Sequence, residues 1–196
     1  MTSTRTVRCA LSCFLVSLFA VLGLASAVRA ADDAPPGYVR FVGENTIATA
    51  NGEFKRWKIV KAEIDPNDPA AGVVEIEIDV ASLDTDNQKR DDHLRNPDFF
   101  EVEKFSTATV RVHNVRKGDG AGSGKDYDAT FDVKIHGVAK SVEGKFAVVS
   151  TSPPIVEGKL VLDRMDFGVG QPHSAVNPMS IGQEIPVTFR AELPAG

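Results

Sequence analysis

The chain has 196 residues, of which 25% are charged, and its formal net charge at pH 7 is −5. A surplus of acidic side chains disfavours nucleic acids and anionic membrane surfaces as main partners. Both cysteines, Cys9 and Cys13, precede residue 30. The chain beyond that point therefore has no disulfide and no thiolate metal site.

Residues 1–30 have the pattern of a secretory signal peptide. Arg5 and Arg8 form a basic start, residues 11–25 are an apolar run, and two small-residue patterns suitable for cleavage end this segment. We expect cleavage after Ala30 and export to the periplasm, without stable membrane insertion. A membrane anchor is the alternative, but the apolar run is short for a span of about 20 residues. Loss of this segment removes three arginines and no acid, which changes the net charge from −5 to −8.

The remaining chain is predicted to form one domain. Residues 31–37 are a polar lead-in with two prolines, and we expect this lead-in to be disordered. Residues 38–193 have the length of a single domain with a sizeable core.

Apolar and polar residues alternate along this domain with the period of β-strands. Val74, Ile76, Ile78 and Val80, for example, alternate with charged residues. Turn-forming residues separate eight predicted strands, at 38–44, 53–65, 73–81, 107–116, 127–136, 142–149, 156–162 and 183–192. Alternation with one dry face is typical of antiparallel sheets, so a sandwich or a barrel follows. We favour an eight-stranded antiparallel barrel, because closure removes exposed edges and no long helix is available to cover an open sheet.

Three predicted strands show which side chains are expected to share an apolar face. These sets are Val60, Ala62 and Ile64 in the second strand, Ala108, Val110 and Val112 in the fourth, and Ile185, Val187 and Phe189 in the eighth.

A short polar helix is predicted between the third and fourth strands, at residues 85–95. Thr85 and Gln88 fit a capping box, and Asp91 and Arg95 have the spacing of an ion pair on one helix face. Its single large apolar residue, Leu94, can tether the insert together with three phenylalanines that follow, Phe99, Phe100 and Phe105. The insert is either a lid over one barrel end or a plain surface excursion.

The order of strand, polar helical turn and three phenylalanines near Pro97 over residues 73–105 resembles the central signature of the YceI-like family of periplasmic lipid-binding proteins. Residues 164–169, Arg-Met-Asp-Phe-Gly-Val, match that family's late Arg-x-Asp-Phe-Gly-Val motif. Further similar segments are residues 52–57, 105–110 and 134–140. In these segments Ser106, Val110 and Ala139 replace the usual proline, phenylalanine and threonine.

The resemblance implies a lipocalin-like β-barrel that holds a polyisoprenoid, an isoprenoid quinone or a similar long-tailed lipid. It also implies that a homodimer is plausible. Beyond such a bound lipid or quinone, we expect no cofactor.

The candidate ligand-binding residues are the inward apolar side chains of the strands and of the insert. They are Phe41, Phe54, Trp57, Ile76, Ile78, Val80, Leu94, Phe99, Phe100, Phe131, Val133, Ile135, Phe146, Leu160, Leu162, Val187 and Phe189. From the residues alone, filling of a solid core is the simpler interpretation, and the resemblance favours a pocket. A clamp for a charged head group is not evident; Arg90, Arg95 and Arg164 are the candidates, each better explained as a solvated or structural charge.

Catalytic and metal-binding patterns are weak in this chain. The four histidines form no pair with metal-ligand spacing, and His113 and His136 are expected on outward strand faces. Asp92 and His93 are acid–base material, but neighbours on a helix point apart. The glycine-rich stretch 118–124 lacks the ending of a phosphate loop. Phe167, in the late family-like motif, is expected to plug one barrel end.

These observations predict a periplasmic binding protein that stores or transports a long apolar ligand without catalysis. Two alternatives stay open at this stage. One is a structural or stress-response interaction module without a ligand, and the other is a lipid-modifying enzyme.

Overall fold

The computed structural model of the protein describes residues 37–65, 68–118, 126–174 and 176–194. The predicted signal peptide, its cleavage site, the lead-in up to residue 36 and nearly all of the glycine-rich stretch lie outside these ranges, so those expectations stay predictions.

Ten strands and one helix make up the described chain, which confirms the all-β class with a short helical insert. The strands are β1 (Gly37–Glu44), β2 (Thr49–Phe54), β3 (Trp57–Asp65), β4 (Asp68–Asp79), β5 (Leu83–Asp84), β6 (Thr107–Lys117), β7 (Asp126–Ile135), β8 (Val138–Thr151), β9 (Pro154–Asp163) and β10 (Glu184–Glu192). The helix α1 spans Gln88–Arg95, and short 3₁₀ turns cover Val80–Ser82 and Arg164–Phe167.

The strands form one curled antiparallel sheet in the order β3-β4-β6-β7-β8-β9-β10-β1-β2-β5. The first and last members of this order are joined through the chain, because β2 continues into β3 and β4 continues into β5. Hydrogen bonds bridge the two breaks: Lys55 N donates to Ser82 O over 3.2 Å, and Asp79 N donates to Arg56 O over 3.0 Å. The curled sheet is consistent with the lipocalin-like barrel that the sequence predicts.

The expected number of eight strands is wrong, since the structure has ten. The second predicted strand is divided into β2 and β3, and the two-residue β5 follows beyond the end of the third, which corresponds to β4. Both breaks occur at one corner, where Ser82 Oγ donates to Asp79 O (2.6 Å) and accepts from Arg56 N (2.9 Å). A side-chain hydroxyl thus replaces ladder partners and lets both strands bend together.

A β-bulge changes the phase of alternation in β3. The register of β3 against β4 shifts between Ile59 and Lys61, so that Ile59 and Ile64 pack on the core while Val60 is 45% exposed. The prediction that Val60 shares the face of Ile64 is therefore wrong, because the extra residue of a bulge turns the following side chains over.

The helix begins two residues later than the capping-box prediction requires. Asn87 is the N-cap, and its side chain accepts from Arg90 N. Thr85 instead donates its backbone N–H and its hydroxyl to the buried carboxylate of Asp91. The predicted Asp91–Arg95 ion pair is absent, since Arg95 contacts Asp92 at 3.3 Å and donates to backbone carbonyls.

A buried arginine holds the long connection between β9 and β10. Arg164 is 7% exposed, and its guanidinium donates to the carbonyls of Val169, Gln171, Ile181 and Gly182 over 2.7–2.9 Å and approaches Met165 Sδ at 3.2 Å. Burial lowers the pKa of this guanidinium, an effect that the neighbouring Asp163 opposes. All five N–H donors of the side chain are thereby in use.

We predict that Arg164→Lys lowers the free energy of unfolding by about 2–4 kcal/mol, because one ammonium cannot replace a planar fork at four buried carbonyls. Urea denaturation measures this loss. Arg111→Lys is the matched control, because the side chain of Arg111 is 55% exposed and a surface change of this kind stays within about 0.5 kcal/mol. Equal losses in the two variants would contradict the assigned role.

On the outer face, Asp132 on β7 joins strands β6 and β8. Ser141 Oγ donates to Asp132 Oδ1 over 2.6 Å, and His113 Nε2 lies 2.8 Å from Asp132 Oδ2. The Ser141 hydrogen bond, followed by the charge of His113, lowers the pKa of this carboxyl from its ordinary value of 3.8, although partial burial raises it. The acid stands between the hydroxyl and the imidazole, so this group does not have the order of a catalytic triad.

We predict that the Asp132 carboxyl titrates below pH 3.8. Since the pKa is lower in the folded state, its contribution to stability is complete above the unfolded pKa and is lost as pH falls through the folded pKa. NMR titration of the side-chain carboxyl measures this value. Ser141→Ala should move the pKa of Asp132 upward, and an unchanged pKa in that variant would contradict the assignment of the main cause.

Candidate apolar binding site

The interior of the curled sheet contains space that side chains do not fill. We describe three cavities and name each by its position relative to the barrel end near α1. The helix-end cavity (about 120 Å³) is lined by residues such as Phe41, Leu94 and Ile185. The central cavity (about 100 Å³) is lined by residues such as Ile78 and Val133. The far-end cavity (about 40 Å³) is lined by Ile59, Ala191 and others. One water needs roughly 10–15 Å³ by such a measure, so the first two hold far more than one water.

Successive inward residues of β10 show that the three cavities follow one another along the barrel. Ile185 lines the helix-end cavity, Val187 lines the helix-end and central cavities, Phe189 the central and far-end cavities, and Ala191 the far-end cavity. The distance from Ile185 to Ala191 is about 20 Å at the rise of an antiparallel strand. The three cavities therefore lie in a row along the strands and share wall residues, and we call this row the channel.

The structure brings sixteen of the seventeen predicted ligand-binding residues to the walls of these cavities. Phe41, Leu94 and Phe99 line the helix-end cavity. The other thirteen line the central or the far-end cavity, and some of them also line the helix-end cavity. They are Phe54, Ile76, Ile78, Val80, Phe100, Phe131, Val133, Ile135, Phe146, Leu160, Leu162, Val187 and Phe189. Trp57 is buried in the core and lines none of the three. Which of these side chains contact a ligand stays a prediction.

The predicted set omits several wall residues that the strand pattern could have identified. Ala108, Val110 and Val112 line the central cavity, and Ile185 lines the helix-end cavity; all four occupy apolar faces that alternation marks. Other omissions had no such signal. Phe167, Val169 and Ile181 come from the long connection before β10, where no periodic pattern exists, and they line the helix-end cavity.

Large aromatic rings leave this space open because they lie flat against glycines on neighbouring strands. Phe41 is opposite Gly52 and Phe189 is opposite Gly158 in the ladder. A Cβ added to either glycine would fall far inside van der Waals contact with the facing ring. Phe131 lies over Gly144 in the same manner. Each ring is thus held against the wall instead of projecting across the channel.

The helical insert lies at the end of the channel, and its apolar residues face inward. Leu94, Phe99 and Phe100 all line the helix-end cavity, and Phe100 contacts Phe54 edge-on with ring centroids 6.3 Å apart. Phe167, which is 1% exposed, lies at the same end. After Phe167 the chain turns through Gly168 and Gly170, whose φ angles of +66° and +75° favour glycine.

Three arginines near this end, Arg90, Arg95 and Arg164, donate to the protein's own backbone and side chains. Arg164 and Arg90 both belong to the wall of the helix-end cavity. The donors of Arg164 are fully used, and Arg90 donates to Thr85 Oγ1 over 2.8 Å and to Thr85 O over 2.6 Å. Arg95 donates to Ala81 O and Leu83 O. The surface of the cavity itself is apolar, so the arrangement suits recognition of a hydrocarbon tail.

The acid–base candidates of α1 have separate hydrogen-bond and charge partners. Asp91 is buried against Thr85, whereas Asp92 contacts Gln88 and Arg95 on the exposed side of α1. His93 lies 3.9 Å from Asp98, at an exposed position. Within the described ranges no group of three or more His, Cys, Asp or Glu residues could hold a metal ion.

His136 is not the plain surface residue that the strand pattern predicts. Its side chain is 17% exposed and packs edge-on against Phe105, with ring centroids 4.6 Å apart. Nδ1 lies 3.2 Å from the carbonyl oxygen of Phe167, and Nε2 lies 3.5 Å from Glu101 Oε2. The strand ends at Ile135, so His136 lies in the turn before β8 and connects it to the segment after α1.

We predict that Gly52→Ala lowers the free energy of unfolding by about 1–3 kcal/mol, because the new methyl group forces the Phe41 ring off the wall. The matched control is Gly43→Ala on the adjacent strand, where an added Cβ meets Ile181 Cγ2 at an ordinary 3.8 Å. Urea denaturation of both variants measures the difference. Combining Gly52→Ala with Phe41→Leu should recover part of the loss; full additivity would refute the ring-on-glycine account.

The family model for the YceI-like domain matches residues 33–193. Protein YceI of Escherichia coli is 38% identical over 78 residues, which make up 40% of this chain and 38% of that protein. The match thus spans well under half the length of this curated relative. In the residues that the structure describes, no helix is long and apolar enough to cross a bilayer.

Solved structures share the fold at low sequence identity. Burkholderia cenocepacia BcnA is 24% identical with a TM-score of 0.68, and the match covers 79% of this chain and 94% of BcnA. A polyisoprenoid binding domain from Saccharophagus degradans, implicated in plant cell wall breakdown, is 20% identical with a TM-score of 0.56, covering 83% and 97%. With the family model matching nearly all of the domain predicted from the sequence, the chain belongs to the YceI-like family.

Proposed function

We propose that this chain is a periplasmic protein that binds a long apolar ligand, such as a polyisoprenoid or an isoprenoid quinone, and stores or transports it without catalysis. The observation that carries the proposal is the series of apolar cavities along β10, which together follow about 20 Å of strand. A core that only stabilised the fold would be close-packed, because unfilled space costs stability.

The energetics of such a site favour a long hydrocarbon tail. Each buried methylene contributes about 0.8 kcal/mol, and binding costs several kcal/mol in lost freedom, so a tail of more than about ten carbons is needed for micromolar affinity. A polyprenyl chain exceeds that length. It needs no charged clamp, which agrees with the arginines of the helix end being committed to the backbone and to neighbouring side chains.

The comparisons support the ligand class. One solved relative with this fold is described as a polyisoprenoid binding domain, and we extend that class of ligand to this chain. The periplasmic location rests on the signal-peptide pattern of residues 1–30.

The two alternatives make different demands on the structure. A lipid-modifying enzyme needs a nucleophile or an acid–base pair beside the ligand. The described surface of the helix-end cavity is apolar, because the hydroxyl of its wall residue Thr85 is hydrogen-bonded to Asp91 and Arg90. A structural module without a ligand needs no such row of cavities. Ester turnover that Asp92→Ala or His93→Ala abolishes would favour the enzyme over the carrier.

Solvent extraction of the purified protein, followed by mass spectrometry, tests the proposal directly. We expect a long-chain isoprenoid in the extract, or uptake of an isoprenoid quinone added from cyclodextrin. Protein that carries no lipid and takes up none would favour the module without a ligand.

We predict that Val187→Phe reduces quinone uptake from cyclodextrin by about tenfold or more, because Val187 lines both the helix-end and the central cavity and a larger ring blocks the channel between them. Fluorescence quenching by the quinone measures the uptake. The matched control is Val161→Phe on β9, where the side chain is 49% exposed and faces away from the channel. Equal uptake by both variants would place the ligand elsewhere.

A further inference from the structure

The three most exposed large apolar side chains among the described residues lie at the helix end of the barrel. Ile47 is 66% exposed, Val176 is 93% exposed and Met179 is 64% exposed. Ile47 lies in the loop between β1 and β2, and the other two lie in the long connection between β9 and β10. We call residues 45–48, 168–174 and 176–183 together the apolar rim.

Hydrogen bonds hold the rim loops in shape. Asn45 Oδ1 accepts from Ile47 N over 2.9 Å and from Ala48 N over 2.8 Å. In the second loop, Ser174 N donates to Ser180 Oγ over 2.8 Å, and Met179 N donates to Asn177 Oδ1 over 3.0 Å. The apolar side chains are therefore presented on ordered turns.

The apolar rim borders the helix-end cavity. Gly182 N donates to Glu44 O over 2.8 Å, which joins the two loops at their bases. Gly43, Ala50 and Ile181, which lie beside or within these loops, line the cavity. A ligand that leaves the cavity on this side passes along the rim.

The rim differs from the rest of the chain in charge. The rim residues 45–48, 168–174 and 176–183 include no Asp, Glu, Lys or Arg, in a chain in which 25% of residues are charged. The other side of the same barrel end carries charged residues of α1 and of the segment after it, including Lys89, Asp98 and Lys104. One side of the channel end is thus suited to an apolar surface and the other side to water.

We propose that the apolar rim docks on the surface of a zwitterionic lipid bilayer, so that a long apolar ligand passes between membrane and channel without crossing water; this inference rests on the proposed function. A neutral surface with exposed aliphatic tips inserts into the boundary between head groups and acyl chains. It also avoids the repulsion that the acidic remainder of the protein meets at anionic lipids.

A second copy of the chain fits the same surface less well. A stable interface buries about 800 Å² per partner with complementary shapes. Three separated aliphatic tips on two loops provide insertion points and lack the broad flat patch that such an interface needs.

Flotation with phosphatidylcholine vesicles tests the docking, using the ligand-free full chain without its signal peptide. The rim variant combines Ile47→Asp, Val176→Asp and Met179→Asp. We expect it to bind vesicles at least about tenfold more weakly than the unchanged protein, a difference of about 1.4 kcal/mol. Val149→Asp is the matched control, because that valine is 45% exposed on β8, toward the opposite end of the barrel.

Salt and lipid charge provide a second readout on the same samples. Binding through an uncharged rim stays constant as ionic strength rises, and it does not strengthen when anionic phosphatidylglycerol is added. Binding that needs anionic lipid, or equal vesicle binding by the rim variant, overturns the proposal. So does a dimer of the unchanged protein, measured by light scattering, that the rim variant converts to a monomer.

The design separates failure of docking from failure of the proposed function. The rim variant should take up quinone from cyclodextrin within about twofold of the unchanged protein, whereas its uptake from quinone-loaded vesicles falls about tenfold. If no variant takes up quinone from cyclodextrin, the proposed function fails, and flotation of the ligand-free protein still decides the docking.

Discussion

The fold depends on a conflict between closing a sheet with apolar side chains inside and keeping part of that interior empty. If β2 is counted with β3 and β4 with β5, eight strands surround the interior, and a barrel of that size is only wide enough to be filled by its own side chains or to hold one small ligand. In this protein, glycines in the wall of the barrel allow both. Gly52 and Gly158 have no side chains, so Phe41 and Phe189 can lie flat against the neighbouring strand. The rings keep their hydrophobic contacts, and the axis of the barrel stays open.

The corner between the second and third strands has a comparable dual role. Ser82 and Arg56 exchange hydrogen bonds at the corner where β2 passes into β3 and β4 passes into β5. The chain segments that join the two ends of the sheet therefore change direction together at this corner. The bend carries the chain from β5 into α1, with Leu94 and Phe100 over the helix-end cavity. A regular, unbroken strand pair would not direct the insert onto the channel in this way.

Alternation along the chain was sufficient to predict the β class and many of the apolar wall residues, because inward positions of a strand are apolar whatever the strand encloses. The family was indicated by the resemblance of its motifs. The errors arise where one side chain changes the backbone. A bulge at Val60 changes which side chains of β3 face the core. The hydroxyl of Ser82 lies at the break between β4 and β5, and Asn87 is the N-cap of α1 in place of Thr85. Cavity space itself could not be predicted from the sequence. It depends on cross-strand register, which decides whether Phe189 faces Gly158 or a residue with a side chain.

The absence of a charged clamp among the described wall residues has a consequence for selectivity. Arg164 uses its donors on carbonyls of the rim connection, so this buried charge orders the loop, and under the proposed function the ligand is selected by shape. A channel that follows about 20 Å of strand accepts a tail up to a limiting length, and the remainder of a longer tail must emerge. The neutral loops with Val176 and Met179 border the cavity on one side, so an emerging segment meets apolar surface before it meets water. Under the proposed function, length discrimination and membrane exchange both follow from one construction, a narrow row of apolar cavities with an apolar border at one end.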